Sequence, residues 1–255
     1  KEQAMSDASR MTGGKRLSKF AVSGFILGIG GVAALATSAV GYRLGWWQVG
    51  TALNISEWAV YAAALGLVVS VIDAILTRPV ARQRGLVLSL VGIVVSLPVV
   101  AMAIQWEYAT RTYPPINDIS TDIEDPPVFW DMPNPTVYPG GETAALQRAA
   151  YPDLAPLILS IAPDRAYALA KALTEDKRWE IIANEPEDGR IEAVERSFLY
   201  EFKDEIIIRI TASDVGARVD LRSRSRIGRI DRGVNAKRIR GFLAALKENA
   251  GKVKQ

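Results

Sequence analysis

The chain contains neither cysteine nor histidine. These absences exclude disulfides, thiolate nucleophiles, Ser-His-Asp catalysis and most zinc sites, each of which depends on one of those side chains. Proton transfer near neutral pH would fall to carboxylates or lysines. A nucleophile elbow, a glycine-rich phosphate loop and a metal-binding spacing are missing too. The expectation is a protein that is not an enzyme and needs no cofactor or metal. Lack of cysteine fits an oxidising compartment. No signal-peptide pattern is read at the start, and Met5 and Met11 are candidate initiators.

Charge is abundant but unevenly placed. The 255 residues carry a net charge of +3, yet residues 114–215 hold nine Lys+Arg against 20 Asp+Glu, and residues 216–255 hold twelve against three. A chain built this way can neutralise itself by folding one segment onto the other.

The first hundred residues are dominated by apolar runs. Residues 20–40 and 85–106 have no charged side chain, and residues 58–76 have only Asp73. Each run is long enough to cross a hydrocarbon core of about 30 Å, so three transmembrane helices are expected. Arg10, Lys15, Arg16 and Lys19 precede the first run, and Arg78, Arg82 and Arg84 fill the second connection. The positive-inside rule then puts both in the cytoplasm, and an odd number of spans sends the rest of the chain to the other side. Tyr42, Trp46, Trp47, Trp58, Tyr61, Trp106 and Tyr108 all fall at the outer headgroup level under this topology, where Trp and Tyr are favoured. The localisation expected is a bacterial inner membrane, with the C-terminal domain periplasmic.

Within the spans, Gly24, Gly28 and Gly31 follow a small-residue spacing that lets helices approach closely. They suit packing among the three helices or docking against another membrane protein. Asp73 is either a proton or ion ligand or a side chain that snorkels toward Arg78. Pro98 is a candidate kink.

The expected domain plan is a cytoplasmic tail over 1–19, a three-helix transmembrane region over 20–108, a Pro-rich arm over 109–141 and an extracytoplasmic α+β domain over 142–255. The arm is too rich in proline for a helix or a central strand. Ile116, Ile119, Val128, Phe129 and Trp130 are its candidate anchors. Beyond it, helices are read over 142–150 and 165–176, the latter N-capped by Asp164. Strands are read over 179–183, 190–199 and 205–211, joined by the turn Glu185-Pro-Glu-Asp-Gly189. Ile239, Phe242, Leu243 and Leu246 form the apolar stripe of a final helix over 235–247. Short connections favour a small antiparallel sheet.

Between the last strand and that helix runs Arg218-Val-Asp-Leu-Arg222-Ser-Arg224-Ser-Arg226-Ile-Gly-Arg229-Ile-Asp-Arg232. In an extended strand Arg218, Arg222, Arg224 and Arg226 share one face, about 6–7 Å apart. Three readings stay open. The ladder is an internal ion-pair network with the acidic middle; or it is an anion site, with Arg222, Arg224 and Arg226 converging on the N-terminus of the last helix near Asn235; or it is a face for an acidic partner or anionic lipid headgroups. Nucleic acid is not expected, since the ladder lacks an aromatic stacking platform and would lie outside the cytoplasm. The arm residues Asp118, Ser120, Thr121 and Asp122 either bind a cation, tie down turns or meet the arginines.

Several segments together resemble a known family: Tyr113-Pro-Pro-Ile-Asn-Asp-Ile-Ser-Thr-Asp122, Asp125-Pro-Pro127, Tyr138-Pro-Gly-Gly141, Asp220-Leu-Arg-Ser-Arg-Ser-Arg-Ile-Gly228, and Asp231-x-Gly233-x-Asn235-x-x-Arg238-Ile239. They are similar to the bacterial domain-of-unknown-function family fourteen-ninety-nine, many members of which carry membrane spans in front. The resemblance implies no activity. Where that family's pattern often has His, this chain has Asn117, which puts a His-dependent role there in doubt.

The function expected is a non-catalytic accessory or assembly subunit of a larger inner-membrane complex, docking through its spans and its periplasmic domain. The alternative is an extracytoplasmic binding module for an anionic small molecule or lipid headgroup at the Arg ladder.

Overall fold

A computed structural model describes residues 16–77, 84–133 and 137–252. The three apolar runs are helices α1 (Lys19–Arg43), α2 (Val49–Leu76) and α3 (Leu86–Thr112), each long and apolar enough to span a membrane. α2 begins nine residues before Trp58, because nothing between Val49 and Trp58 breaks a helix. α3 carries Pro98 in its interior. The chain divides into two units, Lys1–Gln105 and Trp106–Gln255.

In the first unit, small residues set how closely the helices pack. A Cβ on Gly28 would come within 2.5 Å of the Ser96 hydroxyl, and one on Gly31 within 2.8 Å of Ala59 and Ala63 backbone atoms. Gly24 faces Ser70 in the same way. Leu17, just before α1, forms a parallel bridge with Arg84, just before α3, so these two helices start side by side. Asp73 does not reach outward as a snorkelling side chain would. It is fully buried, and its carboxylate accepts hydrogen bonds from the hydroxyls of Ser18, Ser89 (2.6 Å) and Thr77 (3.1 Å). Arg78, its expected partner, lies outside the described residues. Three hydroxyl donors supply the hydrogen bonds that a buried carboxylate needs.

The second unit is built on an antiparallel sheet. Its strands are β1 (Asp118–Ser120), β2 (Leu157–Leu159), β3 (Glu180–Glu185), β4 (Arg190–Arg196), β5 (Lys203–Ser213) and β6 (Gly216–Ser225). The order is β1-β6-β5-β4-β3, with β2 also on β6. β1 and β2 share one edge of β6, β1 along Arg222–Arg224 and β2 along Ala217–Val219. Helices α4 (Gly141–Ala150), α5 (Pro163–Asp176) and α6 (Val234–Lys252) complete the domain. α5 starts at Pro163 after Ala162, so Asp164 lies in the first turn, where its charge suits the helix dipole, and is not the cap.

Alternation along the strands gives the sheet two unlike faces. Ile191, Ala193, Ile206, Ile208, Val219 and Leu221 point to one side and form the core with Tyr167, Ala170 and Leu173 of α5 and Ile239, Phe242 and Leu246 of α6. Trp179 stacks on Phe242 there at 5.4 Å. The other face carries the charges. Among the described residues it is the arm that packs there, with Phe129 and Met132 on Val194 and Ile207.

The arm differs from expectation in two respects. It contains the short strand β1, which is compatible with its prolines because β1 pairs on one side only. Gln147 of α4 closes the other side: its side-chain amide donates to the Ser120 carbonyl (2.6 Å) and its oxygen accepts from the Ser120 amide (3.0 Å), as a neighbouring peptide would. Second, of the five expected anchors only Ile116, Ile119 and Phe129 are buried, while Val128 and Trp130 are exposed.

Candidate functional site

The charged face is assembled from four strands. β6 contributes Arg218, Asp220, Arg222 and Arg224. Opposite them β5 places Glu205 (against Arg224), Ile207 (against Arg222) and Arg209 (against Asp220). β4 adds Glu192 against Ile207, and β1 adds Asp118 and Ser120 against Arg224 and Arg222.

Arg222 is fully buried. Its Nε donates to Asp118 Oδ1 (2.9 Å), its Nη2 to Asp118 Oδ2 (2.8 Å) and its Nη1 to the Pro127 carbonyl (3.0 Å). Its guanidinium also lies over the rings of Phe129 (5.0 Å) and Tyr138 (5.4 Å). A charge taken out of water is tolerated only with this degree of pairing. Burial pushes the Tyr138 hydroxyl up to about 12, and the Asp118 carboxylate adds to the rise.

Arg224 and Arg226 share Glu205, at 2.7 Å and 2.8 Å. Arg218 donates to Asp122 (2.6 Å) and Asp220 (2.9 Å), and Arg209 reaches Asp125 (2.8 Å) and Asp220 (3.3 Å). Asp131 meets Arg190, and Glu124 meets Arg148. All five carboxylates of the arm therefore face a guanidinium. Ser120 Oγ serves the backbone, donating to the Asp122 carbonyl (2.7 Å), while Thr121 Oγ1 accepts from the Leu221 amide (2.9 Å) and donates to the Asp220 carboxylate (3.3 Å).

The rest of the ladder lies elsewhere. β6 ends at Ser225, so Arg226, Arg229 and Arg232 belong to the following loop. Arg229 is exposed. Arg232 donates to Thr110 Oγ1 (2.7 Å) and lies over the Trp106 ring at 3.7 Å. Asn235 is buried on the opposite side of the sheet, where it accepts from Ser223 (2.7 Å) and donates to the Asn117 carbonyl (2.9 Å). Arg222 and Arg224 thus do not converge with the N-terminus of α6. That terminus is held by the Asp231 carboxylate, which accepts the amides of Gly233 (2.9 Å) and Asn235 (2.7 Å). Burial raises the Asp231 pKa despite these bonds.

Glu192 was not singled out from the sequence. It is fully buried and accepts the amides of Trp130 (2.7 Å) and Asp131 (3.1 Å) and a hydrogen bond from Arg190 (2.6 Å). This carboxylate fixes the backbone of the arm just where Trp130 turns outward, with 72% of its surface exposed. Trp130 and Val128 stand beside Ile207, Asp188, Arg190 and Arg209 around an open groove of about 460 Å³. A readable signal existed in part: β5 alternates Ile206, Ile208 and Ile210 with Glu205 and Arg209, which marks a second, charged face.

The residues that gather on this face and behind it, from Asp118 of β1 to Leu246 of α6, coincide with the span of a known family. The model of the family described as a protein of unknown function, DUF1499, matches residues 118–246. No curated protein matches the chain. The match takes in the arm from Asp118 onward, the whole sheet and the final helix as far as Leu246, and the chain belongs to the DUF1499 family.

Proposed function

We propose that this protein is a non-catalytic accessory or assembly subunit of a larger complex in a bacterial inner membrane. Its N-terminus is cytoplasmic and its C-terminal domain periplasmic. The basic residues before α1 and in the second connection support that orientation, as do the aromatics around the first connection and the end of α3. The observation that carries the docking role is Trp130. An indole held outward by a buried carboxylate, beside an apolar groove with a charged rim, has the make-up of an interface hot spot.

Extraction of the full chain from native membranes in a mild non-ionic detergent tests this. A stoichiometric membrane-protein partner is expected with the native sequence and a severely reduced amount with Trp130→Ala. Recovery of the native chain alone and monodisperse would overturn the reading.

The alternative, an anion-binding module at the Arg ladder, has less support. Arg218, Arg222, Arg224 and Arg226 each already hold a carboxylate of the chain itself.

A further inference from the structure

A different end of the domain carries a second surface. Register fixes which loops gather there. Asp118 pairs with Arg224, Asp204 with Ser225, Arg196 with Lys203, and Glu180 with Val194. The loop after β6, the β4–β5 connection and the α5–β3 turn therefore lie at one end of the sheet. The chain also arrives from α3 at this end: Asn117 accepts from the Ser225 amide (2.9 Å), and Tyr113 packs on Gly233.

Two contacts tie this end to the last turns of α3. Arg232, in the loop after β6, lies over Trp106 and hydrogen-bonds Thr110, both in the last turns of α3. Trp106 and its exposed neighbour Tyr108 are aromatics at the end of a spanning helix, where such rings settle among headgroups. The loop that carries Arg232 is held against these rings.

What the end presents suits that depth. Phe198, at the tip of the β4–β5 connection, is 94% exposed, and Ile227 in the loop after β6 is exposed as well. Arg229 and Arg178 are exposed and make no ion pair among the described residues. Acidic side chains are exposed at this end too: Glu201 in the β4–β5 connection, and Glu175 and Asp176 where α5 runs into the turn that holds Arg178. An exposed aromatic at the same end as two unpaired arginines suits a layer of phosphates over hydrocarbon.

We propose that this end of the domain rests on the phospholipid headgroup layer of the leaflet from which α3 emerges, with Phe198 inserted and Arg229 and Arg178 on lipid phosphates. The contact fixes the domain against the bilayer and leaves the Trp130 groove for a protein.

The absence of cysteine allows a direct test with the full chain. Ser197→Cys and, at the opposite end in the β5–β6 turn, Val215→Cys are each labelled with an environment-sensitive fluorophore. Each is placed at one copy per nanodisc of phosphatidylethanolamine and phosphatidylglycerol with doxyl-labelled acyl chains. The label at 197 is expected to emit to the blue of that at 215 and to be quenched several-fold more. Adding Phe198→Ser to the Ser197→Cys chain is expected to remove most of that difference, and Arg229→Glu part of it. Equal quenching at both positions, or quenching at 197 that persists in Phe198→Ser, would overturn the proposal. A protein partner in place of lipid would give the first of those results, since none is present.

Discussion

Arg222 and Asp118 meet in a buried two-pronged pair although 104 residues separate them, Nε on Oδ1 at 2.9 Å and Nη2 on Oδ2 at 2.8 Å. The pair fastens the Pro-rich arm to the sheet. Around it Asp122, Asp125 and Asp131 repeat the same device on Arg218, Arg209 and Arg190. The surface pairs contribute little each, about 0–1 kcal/mol. The buried one is different, because removal of either partner strands a charge.

Glu192→Ala leaves the amides of Trp130 and Asp131 without their acceptor. A loss of about 2–3 kcal/mol in stability is expected, the range for a charged acceptor removed from buried donors. Limited proteolysis should then cut the arm near Trp130 at a protease concentration that leaves the native chain whole.

In the spans, two neighbouring glycine types should behave oppositely. A Cβ on Gly66 would sit 2.6 Å from the Gly28 amide, whereas one on Gly30 meets nothing within 4 Å. Gly66→Ala is expected to destabilise the helix bundle by about 1–3 kcal/mol through overpacking, while Gly30→Ala leaves it unchanged or slightly firmer. Thermal unfolding in detergent separates the two.

The Tyr138 hydroxyl gives a pH signature. Its pKa in the folded domain is about 12, above its ordinary value of 10.0. A raised folded pKa means the folded state holds the proton more tightly. That contribution to stability is complete below pH 10 and is lost as pH rises toward 12. Tyr138→Phe should flatten this alkaline limb, measured as the midpoint of denaturant unfolding between pH 9 and 12; an unchanged limb would assign it to other groups.

Much of this architecture was legible from the sequence because long patterns carry it. Long apolar runs marked α1, α2 and α3, and the stripe from Ile239 to Leu246 marked α6. β1 and β2 were not legible: three residues each cannot show a period, and their pairing depends on β6, remote in sequence. The charge asymmetry pointed to the arm as a counterion for the ladder. It did not reveal which of Val128, Phe129 and Trp130 turns inward, because that choice is made by Glu192, 62 residues beyond Trp130. The burial of Asp73, where a snorkelling side chain would reach outward, was illegible for a similar reason. Its partners Ser18 and Ser89 lie outside its own helix, and only packing brings them together.

The central claim is that Arg222, with Arg218 beside it, fastens the arm from within. A double-mutant cycle on Asp118→Leu and Arg222→Met, read by unfolding of the full chain, measures it most directly. Each single change is expected to cost about 3–5 kcal/mol, and the double change much less than their sum, since it leaves no unpaired buried charge. Additive effects, or single changes that leave stability intact while removing an anionic ligand, would contradict the account.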